Sequence, residues 1–265
     1  MEQILAIALQ GMHQDMMRLD QVGMNIVNAQ TAGYKRVVLA VRPFGQMVEG
    51  TGGATLAAPM AASGDPAELA AAGIVLRQTD PRPGTLKSTG ASLDLAIAGA
   101  GYFEVQTPQG PAYTRQGNFH LDAQDRLVTA QGYAVMGKGG EIFLTHSAPV
   151  IDAAGQIFDN PASGAGAAGT LGAAPLAQLR VVQFDAAATL QSLGDGLLAG
   201  GAEGRAVDAK ELQIRQGFLE NSNVNATQEM VQLMQSMRHF ESMQRVAAGY
   251  DQMLDTAIRK LGNLA

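Results

Sequence analysis

The longest regular pattern of apolar positions lies in residues 227–261, which contain no proline and only one glycine, Gly249. Apolar residues recur there every seven positions, a spacing typical of helices that pair along a seam. The line is Leu233, Phe240, Ala247, Leu254 and Leu261, flanked first by Met230 and Met237 and then by Met243, Tyr250 and Ala257. A straight helix drifts about 20° per heptad relative to a strict seven-residue repeat, which accounts for the change of the flanking residues from one side of the line to the other. At about 1.5 Å per residue the helix would reach roughly 50 Å, so we expect it to need a partner.

The start of the chain supplies a candidate partner helix. The same period recurs in Leu5, Met12, Leu19 and Ile26, with Ala8 and Val22 as a second line that is interrupted at Asp15. Two apolar stripes at opposite ends of one chain can bury each other, and stripes rich in methionine also suit packing against further copies. We predict that the terminal helices pair as a coiled coil. Two ordinary core helices of one globule are the alternative.

The middle of the chain changes to short runs with a period of two, separated by turns that contain glycine, which predicts an antiparallel β domain. The runs are residues 93–98, 102–106, 112–115, 118–121, 126–128, 133–136, 141–144 and 179–184. The predicted fold class is therefore α+β, with long N- and C-terminal helices and a central, mainly antiparallel β domain. We expect a coiled-coil helix and turn in residues 1–34, a Gly/Ala-rich connection in 35–73, the β-rich domain in 74–213, and a C-terminal cap and coiled-coil helix in 214–265. The β topology after Asn160 is not predicted.

Composition excludes several classes of partner. With 265 residues, 46% hydrophobic residues and a net charge of -6, the chain can build one or two cores and has no charge that would attract nucleic acid. It has no cysteine and hence no disulfide framework. No run approaches the roughly 20 apolar residues of a membrane span. Because Glu2 stands where a signal peptide would be basic, we expect no cleaved signal peptide.

Several segments imitate chemical sites. Residues 132–139 have the spacing of a phosphate-binding P-loop, but Gly139 replaces the Ser or Thr that would bind magnesium, and strands surround the segment, which predicts a hairpin turn. Gly99 and Gly101 begin like a dinucleotide-binding fingerprint, yet Glu104 occupies the third glycine position, so a turn is predicted there too.

Isolated polar residues give no catalytic set either. The histidines, His13, His120, His146 and His239, are not spaced to share a metal ion. His239 is expected to be a partly exposed helix residue. We expect Asp94 to be either an outward-facing strand residue or a buried hydrogen-bond anchor. For Arg115 we expect a structural or intersubunit polar contact and not a catalytic role. We predict no catalytic residue, no cofactor and no metal ligand.

Four blocks of sequence, in order, resemble one family. Residues 25–35, Asn-Ile-Val-Asn-Ala-Gln-Thr-Ala-Gly-Tyr-Lys, are similar to the N-terminal signature of bacterial flagellar rod and hook proteins, although Val27 and Ala32 replace the usual alanine and proline. Residues 89–103 with 113–119, and residues 127–137, resemble β-domain signatures of that family, and residues 216–225 resemble the entry to its C-terminal helix. The positions that carry the terminal motifs are Asn25, Asn28, Thr31, Gly33, Tyr34, Gly217, Ser222, Asn223 and Asn225. Independently of the family, Asn225 with Gln228 three residues later predicts an N-cap.

The resemblance implies a structural subunit of the bacterial flagellar basal-body rod and not an enzyme. Such a subunit would self-assemble through its terminal helices with copies of itself and with other rod and hook-basal-body proteins. It would leave the cell interior through the flagellar type III export apparatus without a cleaved signal peptide and act in the periplasmic rod. Residues 238–241 and the short β domain favour a proximal over a distal rod subunit. An alternative from a different functional class is a secreted β-domain binding module or a carbohydrate-active enzyme whose terminal helices trimerise it.

Overall fold

A computed structural model of the chain describes residues 2–42, 74–144, 149–158, 175–184, 190–200 and 204–262. The fold is α+β, with a long helix near each end and mainly antiparallel strands between them, as predicted in outline. The chain divides into two compact units. One combines Met1–Ala29 with Val224–Ala265, and the other is Gln30–Asn223. They are called the helix unit and the β unit below.

The helix unit contains α1 (Glu2–Val27) and α2 (Ala226–Gly262). The side chain of Asn225 accepts a hydrogen bond from the backbone N–H of Gln228 at 3.2 Å, which satisfies a donor of the first turn and confirms the predicted N-cap. No helix in the described part of the chain is long and apolar enough to cross a membrane.

The two helices lie side by side and antiparallel. Asn25 contacts Glu229 and Asp15 contacts His239, so a step of ten residues down α1 matches a step of ten residues up α2. Four residues further along each helix, the α-carbon of Gly11 faces Met243, whose side chain would contact a β-carbon there at 3.8 Å. The register is therefore constant over three successive contacts.

The β unit contains nineteen described strands. In chain order they are β1 (Val37–Arg42), β2 (Ile74–Thr79), β3 (Leu86–Ser88), β4 (Leu95–Ile97), β5 (Tyr102–Thr107), β6 (Gly110–Thr114), β7 (His120–Leu121), β8 (Leu127–Val128), β9 (Ala134–Gly137), β10 (Gly140–Glu141), β11 (Val150–Ile151), β12 (Gln156–Phe158), β13 (Ala177–Gln178), β14 (Val181–Gln183), β15 (Gln191–Gly194), β16 (Leu197–Ala199), β17 (Arg205–Ala206), β18 (Ile214–Gln216) and β19 (Phe218–Glu220). Each of the eight runs predicted from the alternating pattern overlaps a strand, although the run 141–144 does so only at Glu141.

The largest sheet has the strand order β15-β16-β6-β5-β9-β8-β7, with β10 paired to β9, β14 paired to β5, and β17 paired to β14. Its inner face is an apolar core in which the rings of Phe103 and Phe119 meet edge to face, with centroids 5.2 Å apart. Two small antiparallel pairs, β18–β4 and β19–β3, bring the last strands of the unit back to its first ones. The remaining described strands form the pair β1–β2 and the three-stranded sheet β11-β12-β13.

Two regions differ from the expectation or extend it. Val37–Arg42, within the interval expected to be a connection, is strand β1, in which Val37 pairs with Thr79 of β2. Its β-branched residues suit a strand, and the glycine-rich composition that suggested a connection begins only after it. The rest of that interval, residues 43–73, lies outside the described residues. Beyond Asn160, a two-residue turn at Asp195 and Gly196, with φ of 50° and 74°, joins β15 to β16.

The segments that imitate chemical sites are turns. β9 and β10 form a hairpin around Lys138 and Gly139, which confirms the prediction for the P-loop-like stretch. Gly101, with φ of 122°, leads directly into β5. Asp94 is half-buried, and its backbone carbonyl accepts a hydrogen bond from Gly217. No group of three or more His, Cys, Asp and Glu side chains that could hold a metal ion occurs in the described residues.

Candidate assembly surface and buried junction

The helix unit buries a line of residues that is partly polar. In α1 the buried positions Ala8, Asp15 and Val22 follow one another at intervals of seven. In α2 the matching line is Glu229, Ser236, Met243 and Tyr250, of which Met243 is half-buried and the others are buried. The line that looked interrupted at Asp15 is therefore the most buried line of α1.

The predicted seam residues lie beside this line. Met12, Leu19, Ile26, Leu233, Phe240 and Ala247 are half-buried. Met230 and Met237 are 50% and 49% exposed. The side chains of Leu5, Leu254 and Leu261 lie outside the described residues. The buried line of α2 therefore lies on one side of the predicted seam along the whole line and does not change side. The apolar pattern did not indicate this, because Glu229 and Ser236 in the line are polar.

Two polar pairs join the helices. The Nδ1 atom of His239 lies 2.5 Å from the Oδ2 atom of Asp15, whose side chain is 4% exposed. Ten residues away, the side-chain amide of Asn25 donates to Glu229 at 3.2 Å, and both residues are buried. His239 is exposed, as predicted from the sequence, but its contact with Asp15 was not predicted, because its partner lies 224 residues away.

Large apolar side chains lie on the outside of the helix unit. They are Leu9, Met16, Met24 and Val27 of α1 and Met230, Val231, Met234, Met237, Val246 and Met253 of α2, together called the exposed apolar set. A globular protein usually places such residues inside and charged residues outside. Here the helices hold carboxylates between them and present methionines outward, an arrangement typical of a surface that packs against another molecule.

The β unit contains a buried junction of charged side chains. Glu220 of β19 accepts hydrogen bonds from the Nζ atom of Lys35 at 2.6 Å and from the Nη1 atom of Arg115 at 3.0 Å. The three side chains are 1%, 3% and 4% exposed, for Glu220, Lys35 and Arg115 respectively. Each residue belongs to a different signature block, so distant blocks of the sequence meet at one carboxylate.

Further contacts stabilise the two cations of this junction, although the Nε atom of Arg115 is buried without a hydrogen-bond partner in the described residues. Arg115 donates to the carbonyl oxygens of Ile97 at 3.1 Å and Gly99 at 2.5 Å, and its guanidinium carbon lies 5.3 Å from the ring centroid of Tyr102. Lys35 also donates to the carbonyl of Arg82 at 2.8 Å. Burial lowers the pKa of Lys35 below its ordinary value, and attraction to Glu220 opposes this shift. Loss of the carboxylate would leave two buried cations uncompensated, which typically costs about 3–5 kcal/mol.

Gly33, Tyr34 and Asn223 of the family motif meet beside this junction. Gly33, with φ of +68°, donates its N–H to the carbonyl of Glu220 at 2.7 Å, and a β-carbon at this position would overlap the backbone of Arg115. The carbonyl of Tyr34 accepts from the N–H of Asn223 at 3.4 Å. The side chain of Asn223 in turn accepts from the N–H of Arg36 at 2.7 Å. These residues hold the N-terminal turn against the end of β19.

The other motif residues have separate surroundings. The carbonyl of Gly217, whose φ is +75°, accepts from the N–H of Thr89 at 2.8 Å. Asn28, directly after α1, donates its side-chain N–H to the carbonyl of Met24 at 2.9 Å, and the carbonyl of Thr31 accepts from the N–H of Tyr34 at 3.3 Å. Ser222 is half-buried. Asn25 and Asn225 belong to the helix unit, as the polar pair with Glu229 and as the N-cap of α2.

Comparison with protein families gives two matches. Residues 96–159 match the model described as flagellar hook protein FlgE/F/G D1 domain, which spans strands of the β unit. Residues 215–260 match the model described as flagellar basal body rod FlgEFG protein C-terminal, which spans β19 and most of α2.

Individual relatives extend the similarity over nearly the whole chain. The flagellar basal-body rod protein FlgG of Bacillus subtilis (strain 168) is 31% identical over 94% of this chain and 96% of the relative. Two proteins named flagellar basal-body rod protein FlgF are also similar. That of Rhizobium meliloti (strain 1021) is 35% identical over 68% of this chain and 72% of its own length. That of Caulobacter vibrioides is 30% identical over 93% of this chain and 92% of its own length. The chain therefore belongs to the family of flagellar basal-body rod proteins that includes FlgF and FlgG, structural subunits of the flagellar rod.

Proposed function

We propose that the chain is a FlgF-like subunit of the proximal rod that self-assembles through its two terminal helices. The exposed apolar set carries this proposal. Apolar surface removed from water contributes about 25 cal/mol per Å², and a single chain leaves these side chains in contact with solvent. Packing against copies of the chain and against other rod and hook proteins would bury them.

The spacing of the buried residues supports coiled-coil packing within the helix unit. Both helices bury positions at intervals of seven, and the predicted seam lies three or four residues from each of these positions. That alternation of three and four is the pattern of knobs-into-holes packing. The half-buried residues of the seam, such as Leu233 and Phe240, would become fully buried when neighbouring subunits pack beside them.

The same helices suit export of an unfolded chain. Isolated helices without packing are marginally stable in water. A helix unit whose apolar surface is fully buried only by neighbouring subunits would therefore stay unfolded or open before assembly. We propose that the chain passes through the flagellar export apparatus without cleavage of a signal peptide and assembles in the periplasm.

The choice of a proximal subunit rests on the stretch of residues 238–241 and on the short β domain, both of which resemble FlgF. FlgG, the distal rod protein, is the second candidate, because the relative from Bacillus subtilis bears that name and is similar over almost all of this chain. Counting copies per purified rod separates the two, with a handful expected of a proximal subunit and a few tens of a distal one. A count in the tens would replace FlgF with FlgG.

Charge placed on the exposed apolar set tests the assembly surface. In the double variant Met230→Glu/Met237→Glu, two carboxylates would have to be buried between subunits, so the variant should be absent from purified basal bodies and its cells should not swim. Gln244→Glu is the matched control, because it adds a carboxylate to an exposed position seven residues after Met237 that is already polar. Far-UV circular dichroism should show the same helix content for both chains. Normal incorporation of the methionine variant would contradict the proposal.

A further inference from the structure

The sevenfold repeat of the two helices does not by itself choose one register. Because the lines of both helices repeat every seven residues, a slip of one helix by seven residues again places line against line. The observed register brings Asp15 to His239 and Asn25 to Glu229. Something other than the apolar repeat must distinguish this register from its neighbours.

We infer that the two polar pairs, Asp15–His239 and Asn25–Glu229, each of which contains a buried carboxylate, are the residues that fix the register of α1 against α2. A slip of seven residues toward the end of α2 would place Asp15 level with Val246 and His239 level with Val22. It would leave a carboxylate that is 3% exposed beside an aliphatic side chain, and burial of a charge without a partner is strongly unfavourable.

The two pairs act together because they are ten residues apart. Each pair is lost when the helices slip. Because the second pair lies ten residues, or nearly three turns, from the first, both pairs form together only in the observed register. Buried polar residues are known to specify register in coiled coils at some cost in stability. The apolar positions of the helix unit supply affinity, and these four residues supply the alignment.

The register also decides which outward side chains of α1 lie level with those of α2, a consequence that rests on the proposed function. In the observed alignment Met24 lies level with Met230, and both are about half exposed, whereas a slip of seven residues would separate them. Replacing the polar pairs with apolar ones would remove the reason to prefer this alignment, and chains in different registers would present mismatched surfaces to their neighbours.

Cysteine cross-linking tests the register directly, and the chain has no cysteine of its own to interfere. Gly11→Cys with Met243→Cys reports the observed register, in which these positions face each other. Arg18→Cys with Met243→Cys reports the register slipped by seven residues. Oxidation of each purified chain, followed by mass spectrometry, gives the ratio of the two cross-linking yields.

The ratio is compared in two backgrounds. In Asp15→Leu/His239→Leu it should fall at least about fivefold, whereas it should not change in the matched control Asp20→Leu/Glu241→Leu, which alters two exposed positions. Asp15→Ala/His239→Ala gives the same comparison if the leucine variant lacks helix content. An unchanged ratio in a helical variant that lacks the Asp15–His239 pair would overturn the inference. Absence of the unaltered chain from rods would instead overturn the proposed function and leave the ratio as it is.

Discussion

The two units of this protein bury carboxylates in different surroundings. The β unit encloses an apolar core and adds one compact junction, in which Glu220 receives Lys35 and Arg115. The helix unit instead places polar pairs between its helices and leaves methionines outside. This contrast supports our proposal that the helix unit is completed by neighbouring subunits. Variants in each unit test the two halves of this contrast.

Loss of the junction carboxylate should have the largest effect on the β unit. Glu220→Gln removes the negative charge that compensates two buried cations, so the free energy of unfolding should fall by about 3–5 kcal/mol. Urea unfolding followed by near-UV circular dichroism of the tyrosines measures it. Glu211→Gln, at an exposed position of the same unit, is the control and should be neutral. Equal midpoints for the two variants would show that the junction does not hold the β unit together.

Gly33→Ala should destabilise the same junction by a different route. A positive φ and the overlap of a β-carbon with the backbone of Arg115 both oppose the substitution, which should cost about 1–3 kcal/mol. Gly139→Ala is the matched control, because a β-carbon there meets no atom within 4 Å. If the alanine at position 33 were as well tolerated as that at 139, the N-terminal turn would not be fixed against β19.

The helix unit should respond to loss of its N-cap. Asn225→Ala removes the acceptor of the Gln228 N–H and should lower the stability of α2 by about 1 kcal/mol. Thermal unfolding followed by far-UV circular dichroism measures the change. Asn225→Asp retains the acceptor and should restore most of the loss. Equal melting of the alanine and aspartate variants would contradict the role of the cap.

The smallest effect is on the pH dependence of stability, which tests whether burial disfavours the charged form of Lys35. Burial lowers the pKa of Lys35 below 10.5, so between the lowered pKa and 10.5 the unfolded chain holds a proton that the folded chain has released. The contribution of Lys35 to stability should therefore increase as the pH rises through this window and be lost as the pH falls through the lowered pKa. The difference in unfolding free energy between the unaltered chain and Lys35→Met, measured from neutral pH to about 10.5, should grow with pH. A constant difference would contradict the assigned direction.

The sequence allowed much of the fold to be predicted, for identifiable reasons. Alternating runs such as residues 102–106 and 133–136 became strands, as a period of two predicts, although β5 and β9 bury side chains on both faces. The cap at Asn225 was predictable because a capping residue acts on its own first turn. The hairpin at Asp195 and Gly196 was not predicted although Asp-Gly is a strong turn signal, because it lies beyond Asn160, where the topology was left open.

The site was less predictable than the fold. The apolar pattern placed Ala8 and Val22 of α1 and Met243 and Tyr250 of α2 beside the predicted seam. It could not show that Asp15 and Glu229 continue this buried line, because both are polar and each depends on a partner more than 200 residues away. Glu220 carries no local signal that it will bind both Lys35 and Arg115. Such contacts are fixed by tertiary structure, which no short window of sequence contains.

Oxidation of methionine in assembled rods shows whether the outer faces of the terminal helices are buried between subunits. Met230, Met234 and Met237 are about half exposed in the single chain, so dilute peroxide should oxidise them in the free protein. Mass spectrometry of purified rods should show them strongly protected, while Met136 of the β unit, already half-buried in a single chain, serves as the internal reference. Oxidation of the three helix methionines at the same rate in rods and in free chains would contradict assembly through the outer faces of the terminal helices.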